Sequence, residues 1–500
     1  MSHALEVIGV VATAFFVAGA IVASSVRARA ALMLFALAVT PVLLVANIWN
    51  SSQLHSLRDR PSVMAAAVVL GLAVVVGLAV AFGRWPSLLP LAAVGTLPFR
   101  IPISVGGSTA SLLLPLYLVV AAGVLAHAVP RLRSADDDAP FPPRALEWAL
   151  AGYVVLYAIQ SAWSIDFEKA LQNVAFFYVP FALLFCQLRE VEWTPRLVGR
   201  CLMVLAALAV VFVGIGFVEY ARKELFLNPK VITSNQFEDY FRVNSLFFDP
   251  NIYGRFLALV MLGIVAWLLW ARRSRDALVG GALLALLWGG LLVTFSQSSF
   301  AALAVGLAVL AALRWNARRT AIAAGVVLLA GVIFVIAAPG ALKLDLSSSG
   351  GADKATSGRA DLIKGGLRLF GDRPVLGYGS GSFARQYRRH EGSSAQRAVS
   401  ASHTIPVTVA AEQGIVGLLL YLVLVVAALR RLFAGARGSP ARAYVAAAFS
   451  GLLVHTMLYA AFLEDPVTWT LLGVGTALAA AAALAEPASL RAARRAAVPA

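Results

Sequence analysis

The sequence predicts an all-α, polytopic integral membrane helical bundle, and three observations carry that prediction. Sixty per cent of the 500 residues are hydrophobic and only 13% are charged, where a soluble domain carries roughly 25%. Mean hydropathy is +0.82. Apolar runs recur along the chain at the roughly 20 residues that a helix needs to cross a bilayer. The one long hydrophilic stretch, Pro339 to His403, leaves no room for a soluble nucleotide-binding domain.

In chain order, apolar spans are expected near 5–26, 30–49, 63–82, 86–98, 110–128, 146–163, 172–188, 197–219, 252–271, 276–293, 298–313, 320–338, 404–429, 443–463 and 467–485, a bundle of about 12–15 crossings. The span at 86–98 is short and holds Pro90 and Pro98, which predicts a re-entrant or broken helix. The chain divides into membrane helices over 1–338 with a short outward loop at 220–251, a large loop at 339–403, further helices over 404–485, and a basic tail at 486–500.

Charge placement sets the orientation. No Lys or Arg precedes the first apolar run, and Arg27 and Arg29 follow it. That order predicts a retained first helix with its N-terminus outside rather than a cleaved signal peptide. Alternate loops carry 22 arginines, among them Arg84, Arg131, Arg189, Arg272, Arg314, Arg430 and Arg491, whereas the shorter intervening loops carry 8 Lys/Arg. The positive-inside rule makes the first set cytoplasmic and turns the 339–403 loop outward. The formal charge of +16 is therefore largely topology, and its remainder points to anionic lipid or a phosphorylated substrate, not nucleic acid. Cys186 and Cys201 make no ligand pattern with histidine, so neither a disulfide nor a metal site is expected. The cytoplasmic run Asp136-Asp137-Asp138 among prolines reads as a solvated linker.

The outward loop is the exception to the charge rule, with ten Lys/Arg. Asp345 to Gly358 reads as flexible, Arg359 to Phe370 as an amphipathic helix with Lys364 and Arg368 among its cations, and Phe383 to His390 as a second short helix. Between them Gly377, Gly379 and Gly381 alternate, so the backbone there can approach a ligand closely. His403 closes the loop at the mouth of the next span, where an imidazole can take a proton from a sugar hydroxyl near neutral pH. Glu412 lies nine residues further on, too far along a helix to pair with it, and reads as a structural polar contact. Asp249-Pro250-Asn251 reads as a turn and cap that starts a helix. Arg255, in the first turn, either snorkels to the surface or marks a substrate path.

These motifs fall in a recognisable order: Arg242 before Asp249-Pro250-Asn251, then Ser296-Gln297-Ser298-Ser299, Gly358-Arg359-Ala360-Asp361-Leu362, Pro374-Val375-Leu376-Gly377-Tyr378-Gly379, and Ser402-His403-Thr404 with Glu412-Gln413-Gly414. From Arg242 to Gly417 the chain resembles the O-antigen ligase and polymerase superfamily of bacterial membrane glycan transferases. It departs from that pattern at Gln297, where arginine is common, and at Thr404, where asparagine is common. The resemblance implies an integral-membrane glycosyltransferase, independent of metal and other cofactors, in the cytoplasmic membrane. It implies an undecaprenyl-diphosphate-linked oligosaccharide donor and a glycan, lipid or protein acceptor at the outer face. Carried over residue by residue, Arg242 and Arg359 hold the diphosphate leaving group, His403 is the base, and displacement inverts the anomeric carbon. Arg255, Lys364, Arg368 and Asn251 are further candidates for donor contact. The competing reading is a transporter or flippase of lipid-linked sugars, which predicts internal repeats and charges buried mid-membrane. No repeat is evident, and the candidate cations cluster at the outer face.

Overall fold

The structure, a computed structural model, describes residues 3–48, 59–105, 108–133, 142–226, 241–270, 274–326, 359–391, 402, 404–459 and 461–485. The expectations for Asp345 to Gly358, the Asp136 to Asp138 run, the tail at 486–500, the end of the 320–338 span and His403 itself lie outside these residues.

Every apolar run that falls within the described residues forms a helix. In order they are α1 (His3–Val22), α2 (Val26–Ile48), α3 (Pro61–Arg84), α4 (Leu88–Thr96), α5 (Leu114–Leu132), α6 (Ala145–Gln160), α7 (Phe167–Asn173), α8 (Val179–Leu188), α9 (Pro195–Arg222), α10 (Pro250–Trp270), α11 (Ser274–Leu292), α12 (Gln297–Arg314), α13 (Arg359–Asp372), α14 (Phe383–Glu391), α15 (Ile405–Phe433), α16 (Pro440–Thr456) and α17 (Pro466–Ala485). Eleven helical spans among the described residues are long and apolar enough to cross a membrane, with α7 and α8 joined through a π-turn into one of them. Proline opens α3, α9, α10, α16 and α17, where its missing N–H costs no helical hydrogen bond.

The expected broken span is α4, nine residues long and too short to cross. A short ribbon comes next within the otherwise all-α bundle. Ile101–Val105 and Ser108–Leu112 pair antiparallel, with Ile101 opposite Leu112 and Val105 opposite Ser108. The ribbon carries the chain from the half-length α4 to the start of α5 while its backbone groups pair with each other.

The helices pack around one apolar core. Within it α12 lies between α10 and α16, α15 packs on α6, α8 on α17, and α1 on both α2 and α6. Helix α3 stands outside, with Phe82 its one buried residue among those described. At one end Glu190 accepts from Arg29 at 2.5 Å and lies 3.3 Å from Arg131 and 3.2 Å from His127. Arg189 donates to the carbonyl of Ile21 at 2.6 Å. Three loops that the charge pattern assigned to one side thus meet at one end of the bundle, hereafter the arginine-rich end. The helix starts at Pro250, Gln297, Ile405 and Pro466 gather at the other.

Candidate active site

The Asp249-Pro250-Asn251 and Ser296-Gln297-Ser298-Ser299 motifs, 45 residues apart, meet at a shared hydrogen-bond network. Asp249 Oδ1 accepts from the Asn251 amide at 2.6 Å and starts α10. Ser296 caps α12 by accepting from the Ser299 amide. Ser296 Oγ donates to Asn251 Oδ1 at 2.9 Å, and Ser299 Oγ donates to the Asn251 carbonyl at 3.2 Å. Gly254 permits this approach, because a Cβ there would sit 2.7 Å from Ser299 Oγ.

Arg242 is held by the same group. Its Nη2 donates to Asn251 Oδ1 at 3.1 Å and its Nε to the Thr294 carbonyl at 3.0 Å. His455, fully buried near the end of α16, lies 3.3 Å from the Asn251 carbonyl and 3.2 Å from Ser298 Oγ through Nε2. The carbonyl makes Nε2 the donor there. Glu219 braces the Arg242 loop from below, accepting from the Ser245 amide at 2.8 Å. Thr404 donates to the Met457 carbonyl at 3.1 Å, so the chain beside His403 is tied two residues from His455. The N-termini of α10, α12, α15 and α17 gather here, and the positive ends of their dipoles give the region a polarity that suits an anion.

One turn below Asn251, Arg255 is 2% exposed and ion-paired with Asp465, which also takes Arg100 at 3.2 Å. The snorkelling alternative for Arg255 is thereby corrected: a carboxylate within reach makes burial cheaper than extension to the surface. Arg255 Nη1 is buried with no hydrogen-bond partner. Tyr459 adjoins this cluster, and burial together with the Asp249 carboxylate pushes its phenol well above the ordinary range. Beneath the two arginines runs an apolar cavity of about 420 Å³ between α9, α10, α16 and α17.

The alternating glycines do allow close approach, but to the protein's own backbone. A Cβ at Gly377 would lie 2.3 Å from the Glu412 carbonyl, and one at Gly379 2.5 Å from Ser164 Cα. Gly377, Gly379 and Gly381 all have positive φ, as does Gly414 opposite them, where α15 kinks. Glu412 accepts from the Gly381 amide at 2.8 Å and the Phe383 amide at 3.0 Å. Its carboxylate ties loop to helix, the structural role its distance from His403 suggested.

Of the sequence candidates, the structure brings Arg242 and Asn251 into direct contact and sets Arg255 one turn away. Arg359 is the first residue of α13, and Lys364 and Arg368 stand on that helix's exposed face. His455, Arg100 and Asp465 escaped the sequence reading. Their available signal was chemical: Glu412, Glu464 and Asp465 are the only carboxylates, and His455 the only histidine, between 404 and 485.

These features define a polytopic helical membrane protein with a cationic site at one end of its bundle. A family model described as O-antigen ligase matches residues 282–422, from the middle of α11 into α15, and supports the O-antigen ligase and polymerase superfamily. The family points to glycan transfer in cell-surface polysaccharide synthesis. No curated protein matches the chain.

Proposed function

We propose that the protein transfers a glycan from an undecaprenyl-diphosphate donor to an acceptor hydroxyl at the outer face of the cytoplasmic membrane, as a surface-polysaccharide ligase or polymerase. The observation that carries this reading is the convergence on Asn251 of Arg242, the Ser296 cap and His455, beside the chain segment that holds His403. A diphosphate leaving group gains charge as the glycosidic bond breaks, and fixed cations held before the reaction stabilise it without reorganising. Arg242 is so held, and Arg359 is its proposed partner. On this reading cationic side chains, rather than a metal ion, offset that charge. His403 takes the proton from the acceptor hydroxyl, and attack opposite the departing diphosphate inverts the anomeric carbon.

The test is transfer by purified protein in nanodiscs, with lipid-diphosphate oligosaccharide as donor, candidate acceptors that include the donor itself, and EDTA. Product from the wild type, lost in His403→Ala and Arg242→Ala with folding intact, is the expected result; its identity separates ligase from polymerase. Full activity of His403→Ala would remove the proposed base. Donor crossing sealed liposomes without product would favour the flippase reading.

A further inference from the structure

We propose that a small polar pocket between α6, α15 and the turn before α17 binds a sodium ion at Glu412 and Glu464, and that the ion clamps the loop at 374–383 onto the bundle. The ion takes no part in bond-making, so the site stands apart from the glycan-transfer reading. It does adjoin the segment that reading uses: Thr408, at the pocket wall, accepts from the amide of Ser402, the residue before His403, at 3.1 Å.

Charge is the first argument. Glu412, buried, and Glu464, half-buried, line one pocket. The ion pairs among the described residues all lie elsewhere, and Lys169, whose stem passes Gly381, forms none with Glu412. Amides of Gly381 and Phe383 reach Glu412; the Tyr178 hydroxyl and the Phe462 amide reach Glu464 at 3.0 and 3.1 Å. These donors are neutral, and carboxylates held away from water call for a compensating charge. Donor chemistry is the second argument. The polar side chains at the wall offer oxygen: the two carboxylates, the phenols of Tyr153, Tyr157 and Tyr178, the Thr408 hydroxyl and the Gln413 amide. Gln413 is 1% exposed; it gives its N–H to Tyr153 at 3.2 Å and keeps Oε1 buried with no hydrogen-bond partner. Oxygen ligation selects hard cations. Among the described residues no three carboxylates, histidines or cysteines gather to hold a metal, and two carboxylates that already accept four donors suit a monovalent ion. The cavity of about 30 Å³ takes that ion with one or two waters. The backbone is the third argument. Helix α15 kinks at Gly414, next to Gln413, and the π-turn Val174–Tyr178 ends on Tyr178, so two helices break beside the pocket. Interrupted helices at membrane depth line polar cavities, and sodium sites use such breaks.

The experiment uses the full chain in detergent micelles with EDTA present. Radiolabelled sodium, followed by scintillation proximity, should bind saturably and be displaced by unlabelled sodium chloride but not by choline chloride. An ion that binds only the folded chain stabilises it, so the unfolding temperature should be about 2 °C or more higher in sodium chloride than in choline chloride at equal ionic strength. Glu464→Gln keeps the shape and an acceptor oxygen but removes one charge. It should lower retention at least about 10-fold and abolish the difference between the salts. If that variant does not fold, the two salts compared on the wild type decide alone. No saturable retention by folded wild type, equal unfolding temperatures in the two salts, or unaltered retention in Glu464→Gln would overturn the proposal. Neither readout needs turnover, so the two readings fail separately. Sodium retention without any glycan transfer removes the transferase reading alone, and transfer without sodium retention removes this site alone.

Discussion

At the scale of residues, the site turns on Asn251, whose side-chain and backbone oxygens take four partners from three parts of the chain. His455 is a positioning residue here: through the Asn251 carbonyl it fixes the group that fixes Arg242. Removing a buried donor costs about 1–3 kcal/mol. His455→Leu is therefore expected to lower kcat/KM for the lipid donor roughly 10- to 100-fold, mostly through KM. His455→Gln retains a donor in nearly the same place and should keep most of the activity; steady-state kinetics on both variants checks this. The Asn251 turn and the Ser296 helix start were legible because turn and cap chemistry is local, whereas Arg242 stood out only through the resemblance. The Arg255–Asp465 pair was not, since its members are 210 residues apart, and Arg100 is 365 residues from Asp465. A lone charge in an apolar run announces a cost but does not say which other charge offsets it.

Among the elements, the helices were legible for the same reason that they form: in hydrocarbon every backbone group must be paired within its own segment. The ribbon at 101–112 was not, because Ser104, Gly106, Gly107, Ser108 and Thr109 blur any alternating pattern. Nor was the kink at Gly414, which exists to admit the loop that crosses it. Gly414 has φ of +65°, and a Cβ there would sit 2.2 Å from the Val375 carbonyl. Gly414→Ala must both strain the backbone and push the loop away, a loss of at least about 2 kcal/mol. Gly71→Ala in α3, where a Cβ meets nothing within 4 Å, should leave stability unchanged or slightly raised. Thermal unfolding in detergent compares the two.

For the whole molecule, the ion cluster at the arginine-rich end joins α2, α5 and the loop between α8 and α9. Burial alone would raise the Glu190 carboxyl, but His127, Arg29, Arg131 and Arg189 together bring it below its ordinary value. Because the folded pKa is the lower one, this contribution is complete above the unfolded value near 4.5 and is lost as pH falls through the folded value. Unfolding temperature should hold level from pH 7 to about 5 and drop in stronger acid. Glu190→Gln should lower the plateau and flatten the acid limb. The bundle's helices also differ in length. Helix α3, with 24 residues, reaches about 36 Å, and α12, with 18, about 27 Å, against a hydrocarbon core of ~30 Å. One flat bilayer cannot match both, so tilt of the longer helix and anchoring side chains or local thinning at the shorter one must take up the difference. The bundle is thus a solute that asks two thicknesses of one solvent, and the lipid beside each helix answers to that helix alone.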